Sequence, residues 1–419
     1  MKSKNFILVV IGQIISLFGN AALRFALPLH LLQITGSPAL YGVVSAAAFI
    51  PILIMSPIGG MCADRVNKRN IMVILDFITA GITVGFLLLS RSVDPVLLIF
   101  VTLMLLYSIS GFYQPSVQAS VPFLVSQDRL VSANSAINSV SSLANLLGPV
   151  LGGLLYSAYG LESILSISAV CFFCSAVMEI FIQIPSEKGE KKGGFHILLG
   201  DLAQSVRFIT RQQRAVGRIT LTVALFNLFL SALIIIGLPI ITVQVIHVQD
   251  SSVMLGYLQG IMGVGGLAGG IVSSAAGNRL QAGSIWRLIL LISLLLLPVS
   301  ASLFFQLPDG FRYLVLAACA FLIMALATMF TVQMTTLVQR LTPRHMIGKV
   351  LSWIIAISVC TQPIGQAVYG TVFEFMAGRE WAVFFLAAAV CVLISLLFKQ
   401  VSQTLSEEAP AGAEPEGAA

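Results

Sequence analysis

Apolar runs about as long as a bilayer is thick repeat along almost the whole chain, each closed by a few polar or turn-forming residues. Around 20 apolar residues cross a membrane as a helix. Twelve such runs are read here: 6–32, 39–62, 71–90, 95–119, 133–158, 162–184, 217–246, 252–276, 284–306, 312–338, 347–375 and 381–399. They are too long and too evenly apolar for the alternating strands of a membrane barrel. Helices that satisfy their own backbone are the remaining way to span lipid. The predicted fold is an all-α membrane protein with twelve transmembrane helices in two pseudo-symmetric six-helix bundles.

Six runs precede the polar stretch 185–216 and six follow it, which gives bundles over 1–184 and 217–399 and a linker between them. Within the linker Leu198, Leu199, Leu202, Val206 and Ile209 recur at helical spacing, with Arg207, Arg211, Arg214 and Arg218 on the other side. This is either a helix lying on the membrane surface or a solvated linker helix. Residues 400–419 are rich in Ala, Glu, Pro and Gly and read as a disordered cytoplasmic tail.

Composition agrees: 58% of 419 residues are hydrophobic and 10% charged, against roughly 25% charged in soluble domains. Of 23 Lys and Arg residues, only Arg91, Arg312 and Arg379 fall in loops of one side, and Arg24 lies inside a span. The rest share the other side. That skew sets both termini in the cytoplasm and fits a multi-pass protein of a bacterial cytoplasmic (inner) membrane, with the bilayer as its surroundings and a monomer expected. The +6 net charge is spread over loops, with no basic domain for nucleic acid. Cys171 and Cys174 have CxxC spacing but sit in a lipid-length run without histidines, so core packing is expected. No metal site, no cofactor and no enzymatic constellation is read, and no nucleotide loop of the Gly-x-x-x-x-Gly-Lys-Ser/Thr kind is present.

The strongest local signal is a tight charged hairpin between the second and third runs: Gly60, Met61, Cys62, Ala63, Asp64, Arg65, Val66, Asn67, Lys68, Arg69. Gly60 permits close helix approach, Asp64 can bond the exposed amides of a neighbouring helix end, and Arg65, Lys68 and Arg69 anchor the loop at the headgroups. A second signal is Gly148-Pro149-Val150-Leu151-Gly152-Gly153, where Pro149 removes a backbone bond and the glycines permit close packing and bending. Arg24 is the most conspicuous charge. It either faces a cavity, meeting an anionic group or a coupling carboxylate, or it closes a structural ion pair or snorkels to the surface. Uncharged polar residues within runs, Gln13, Asn20, Gln114, Gln118, Asn138, Asn145, Asn227, Gln333 and Gln362, either line a pocket or tie helices together. With Phe25, Phe112, Tyr113, Phe226 and Phe330 they suit a roomy amphipathic pocket better than a sugar or ion site. Among acids, Asp76 and Glu179 are expected near the cytoplasmic surface beside loop bases. Glu374 is the best candidate for a proton site on the outer half, or a rim residue beside Arg379.

The hairpin resembles the signature loop of the major facilitator superfamily, Gly-x-x-x-Asp-Arg-x-Gly-Arg-Arg, with Asn67 in place of the second glycine. The resemblance implies a latch between two bundles, with a degenerate copy at Gly277-Asn278-Arg279. The Gly148 to Gly153 element resembles the Gly-Pro-x-x-Gly-Gly hinge of antiporters of that superfamily, with Ala144 at an earlier glycine position. Phe25 to Pro28, Thr35 to Pro38, Pro115 with Pro122, and Arg129 to Ser135 resemble a bacterial subgroup of macrolide-efflux-like drug exporters. That subgroup carries an acid near Gly19, where this chain has Asn20. The resemblance implies export of a hydrophobic or amphipathic small molecule, a macrolide-like drug, by alternating access and in exchange for protons. The alternative is an exporter of a small anionic metabolite or siderophore. On this reading Asn20, Arg24, Gln114, Gln118, Asn138, Asn227, Gln333 and Gln362 line the cavity, and the proton site is sought among Glu374, Asp76 and Glu179.

Overall fold

The computed structural model describes residues 4–126, 129–184, 214–247, 250–276, 285–342 and 347–408. The linker helix at 185–213 and Gly277-Asn278-Arg279 lie outside them. Helices dominate: α1 (Lys4–Thr35), α2 (Pro38–Arg65), α3 (Lys68–Leu89), α4 (Pro95–Leu124), α5 (Leu130–Ile180), α6 (Arg214–Phe226), α7 (Ala232–Ile240), α8 (Ser251–Ala276), α9 (Ile285–Phe304), α10 (Asp309–Leu341), α11 (Ile347–Phe375) and α12 (Glu380–Glu408). Two π-helical turns, Asn227–Ser231 and Ile241–Val245, follow α6 and α7. Among the described residues ten helices are long and apolar enough to cross a membrane. The 51-residue α5 breaks at Gly160, whose φ of 75° only glycine adopts freely. It therefore covers two of the runs read from sequence. The all-helical membrane architecture is as expected, while α12 continues to Glu408, into the stretch read as a tail.

Local chemistry explains the helix ends. Ser37 caps α2, its hydroxyl accepting from Leu40 N at 3.2 Å, with Pro38 in the first turn. Asp94 does the same for α4, accepting from Leu97 N at 3.0 Å. Gly36, at φ 61°, stops α1 while its amide donates to Leu32 O. In the membrane a hydroxyl must find a partner nearby. Thr79, Thr83, Ser108 and Ser116 bond the carbonyl one turn back.

The chain forms two compact units. The first is Met1–Lys191 with Leu238–Gly260 and Ala367–Glu374; the second is the remainder. In the first, α1 packs chiefly on α5, α2 on α4, and α3 on α4 and α5. Small residues set these approaches. Ser168 and Ser175 of α5 donate to the carbonyls of Gly19 and Gly12 on α1. The backbone of Gly59 on α2 lies against that of Gly111 on α4, leaving no room for a Cβ at either. The close approach thus falls at Gly59, and Gly60, to which the sequence reading gave it, faces open space. In the second unit α9 packs on α12 and α10. Large apolar side chains such as Leu88 and Ile271 stay exposed on the outside. A soluble protein would bury them, and lipid covers them at no cost.

Candidate functional site

Helical periodicity places polar residues on the inner face of four helices of the first unit. Ser16, Asn20 and Arg24 repeat every four positions on α1, as do Ser110, Gln114 and Gln118 on α4. Residues four apart share a helix face. Asn138, Ser141 and Asn145 of α5 and Asp76 and Thr79 of α3 complete a cavity of about 350 Å³. Of the polar residues singled out in the sequence, Asn20, Arg24, Gln114, Gln118, Asn138 and Asn145 come together around this cavity. The sequence reading missed Ser16, Thr79, Ser110 and Ser141, and it set Asp76 elsewhere. Asn227, Gln333 and Gln362 belong to the second unit and do not line this cavity. The Asn227 amide donates to Val223 O at 2.9 Å, within its own helix. Gln13 is fully buried and does not line the cavity, and neither end of its amide has a hydrogen-bond partner.

Arg24 lies on the cavity wall. Its guanidinium donates to Ser110 Oγ at 2.5 Å and stacks over the Tyr107 ring, 4.0 Å from the centroid. Nε is buried without a partner. Its contacts include no acid among the described residues, so the structural ion pair is not formed.

Asp76 and Glu179 correct the sequence reading. Neither sits at the surface beside loop bases. Asp76 is 2% exposed and Glu179 fully buried. Asp76 Oδ1 accepts from Ser16 Oγ at 2.9 Å, and Glu179 Oε1 from the Tyr113 hydroxyl at 2.8 Å. The second oxygen of each carboxylate has no partner. The distance in sequence to Arg69 or to the linker misled, because both side chains turn inward between helices. Ser16, Asp76 and Tyr113 line the cavity, and Glu179 stands behind Tyr113.

At the hairpin the side chains of Asp64 and Arg65 lie outside the described residues. Asn67 caps α3, accepting from Arg69 N at 3.0 Å, which accounts for an amide where the family pattern has glycine. Lys68 is buried, with Nζ 4.6 Å from the centroid of the Phe123 ring. Along Gly148 to Gly153 helical dihedrals run on through Pro149. Gly148 packs on Ala21 and Gly152 on Ala22 and Phe25. Gly153 meets the backbone of Ser252 and Gly256.

Glu374 lies far from the cavity. Its Oε2 accepts from Ser37 Oγ at 2.5 Å and Ala39 N at 2.9 Å, so α11 lends a carboxylate to the N-terminus of α2. Around it Gly370 abuts Pro38 and Gly42. Gln244 donates to Gly36 O, Gln33 to Ser252 Oγ, and Ser157 to Asp250. The Tyr156 hydroxyl donates to Gln33 Oε1 at 2.8 Å, so His30 Nδ1, 2.6 Å away, is the donor to Tyr156.

The sequence pattern of the Major Facilitator Superfamily matches residues 9–360. The chain belongs to that superfamily. A major facilitator protein is a multi-pass membrane transporter of small molecules and not an enzyme. The chain is 22% identical to Macrolide efflux protein A of Streptococcus pyogenes, over 94% of each. It is 22% identical to the Multidrug efflux pump Tap of Mycolicibacterium fortuitum, over 84% of this chain and 85% of that one. The solved nucleoside transporter NupG superposes with a TM-score of 0.74 at 13% identity, covering 95% of this chain and 99% of that one, which shows the shared fold. The expected superfamily and its macrolide-efflux relatives are therefore found.

Proposed function

We propose that this major facilitator protein exports a hydrophobic or amphipathic small molecule of macrolide-like kind, by alternating access and in exchange for protons, from a bacterial inner membrane with both termini inside. The observation that carries the reading is the pair Asp76 and Glu179. An ionised carboxylate buried with one hydrogen bond and no base costs several kcal/mol, so a structural role for two of them is a poor bargain. A proton that arrives from one side of the membrane and leaves to the other explains why both persist. Asp76 meets the cavity directly, and Tyr113 bridges the wall of the cavity to Glu179. This pair supplies the acid that the relatives' subgroup carries near the position of Asn20. Amide and hydroxyl groups around an apolar wall of Leu17, Ile52, Ile109 and Phe172 suit an amphipathic cargo.

In alternating access the contacts around Glu374 form a gate at one end, and the 60–69 hairpin acts at the other. The glycines at 148, 152 and 153 let α5 slide against α1 and α8 as they open. The reading is tested with the full chain in proteoliposomes, by following labelled erythromycin under an imposed pH gradient. Accumulation against a concentration difference that collapses with the gradient is expected. Uptake equal to that of empty vesicles contradicts the reading.

A further inference from the structure

Four side chains from four mutually packed helices form a row beside the cavity: Asp76 of α3, Ser16 of α1, Tyr113 of α4 and Glu179 of α5. Ser16 donates to Asp76 Oδ1 at 2.9 Å, and Tyr113 donates to Glu179 Oε1 at 2.8 Å. The Ser16 hydroxyl also stands against that of Tyr113. The row thus has three junctions: acid to serine, serine to tyrosine, tyrosine to acid. Each junction takes one hydrogen, and each hydroxyl supplies one. With both hydroxyls turned outward to ionised carboxylates, their oxygens meet in the middle with no hydrogen between them. One more hydrogen completes the row, and the groups able to carry it are the two carboxyls. Ser175 stands beside Asp76 as well, but its own hydrogen goes to Gly12 O at 3.0 Å.

We propose that Asp76 and Glu179 hold one proton in common, and that the Ser16 and Tyr113 hydroxyls relay it between them. This rests on the proton-exchange reading and deepens it: the two acids load and unload as one unit. With the proton on Asp76, that carboxyl donates to Ser16, Ser16 to Tyr113, and Tyr113 to an ionised Glu179. A concerted shift then moves three hydrogens by one junction each, from Asp76 to Ser16, from Ser16 to Tyr113 and from Tyr113 to Glu179. Glu179 ends protonated and Asp76 ionised, and both hydroxyls are regenerated with their donors reversed. Ser16, Asp76 and Tyr113 border the cavity and Glu179 does not, so Tyr113 is its link to the cavity. A second proton leaves one hydroxyl hydrogen with no junction to fill. Removal of the last sets two like charges at the ends of an incomplete row. The other charged side chains on these helices are Lys4 and Arg24 on α1, Lys68 and Arg69 on α3 and Glu162 on α5. Each lies at least seven residues along its helix from the row. Of the thiols on α5, Cys171 packs on Gly19 and Cys174 is exposed.

The test reads the infrared band of protonated carboxyl groups, with the full chain in nanodiscs at neutral pH and with neither cargo nor gradient. An amide at either end brings its own N–H into the row and makes the proton superfluous. Asp76→Asn can donate to Ser16 and leave Glu179 ionised, and Glu179→Gln can donate to Tyr113 and leave Asp76 ionised. Each single substitution is therefore expected to remove as much of the band as both together. Tyr113→Phe takes the donor from Glu179 and strands the proton there. In that background Glu179→Gln should remove the band and Asp76→Asn should not. The stranded proton should also exchange into heavy water about tenfold or more slowly than in the parent, as on loss of a proton-transferring group. Ser16→Ala is the mirror-image cut, leaving the proton on Asp76, and serves if Tyr113→Phe does not fold. Unchanged thermal unfolding shows each variant folded. Partial losses from the single substitutions that sum to the loss from both overturn the proposal. So does a parent without the band, or exchange in folded Tyr113→Phe as fast as in the parent. Failure of erythromycin transport alongside the expected band behaviour would reject the exchange reading and leave the shared proton standing.

Discussion

Two regions of the first unit use the same kinds of side chain to opposite ends. Where α1 meets α2, around Glu374, nearly every polar group named has a mate: Glu374 with Ser37 and Ala39, Tyr156 with His30 and Gln33, Gln33 with Ser252, Gln244 with Gly36. Three turns back along α1 from that junction, the cavity holds Arg24, and with it Asp76 of α3, with atoms unmet, and Glu179 behind it has another. Matched polar groups close a surface, and unmatched buried ones wait for a visitor. The difference separates packing from function better than residue type does, since amides, acids and hydroxyls occur in both regions.

Substitutions break the comparison in graded steps. The largest effect is expected from Asp76→Asn, which keeps the Ser16 contact and removes the titrating group. Gradient-driven transport should fall by about a hundredfold or more, within the span removal of a proton-transferring group produces, while unfolding temperature in detergent holds or rises. A fall in both makes Asp76 structural. Next is Gly256→Val, whose added atoms meet the backbone of Pro149 and Val150. Overpacking costs about 1–3 kcal/mol, and it should prise the matched end apart, read as faster labelling of a cysteine placed at Ser252. Smaller is Glu374→Gln, which leaves an acceptor for Ala39 N but weakens its hold on the α2 terminus. Labelling at Ser252 should rise a few-fold, as expected for a weakened charge-assisted bond, and ligand affinity in the cavity should be unchanged. The smallest is Asn67→Ala, which removes the α3 cap. It should lower stability by about 1 kcal/mol, seen as a modest drop in unfolding temperature with transport retained.

The fold was legible because lipid enforces it. Every long apolar run had to become a helix, and Gly36 and Gly160 mark stops that any glycine-tolerant turn would advertise. The cavity was half legible. Asn20 with Arg24 and Gln114 with Gln118 stand four apart in otherwise apolar helices, a spacing that shows one polar face. Ser16 and Ser110 continue those same rows and could have been found by extending them. Asp76 and Glu179 were misplaced for a different reason. Distance along the chain from a loop says how deep a residue sits, but the rotation of its helix decides whether it faces lipid, headgroups or the interior. Glu374 shows the same limit: its mates, Ser37 and Ala39, lie over 330 positions away in sequence, and only folding reveals that it caps a helix.

Proton movement evoked by cargo tests the central claim most directly. In weakly buffered proteoliposomes containing a pH-reporting dye, erythromycin added without any imposed gradient should move protons against the cargo in the parent protein. Asp76→Asn combined with Glu179→Gln should abolish that signal while cargo still equilibrates across the membrane. Proton movement that survives the double substitution contradicts the assignment of the buried, unpaired carboxylates as the coupling groups.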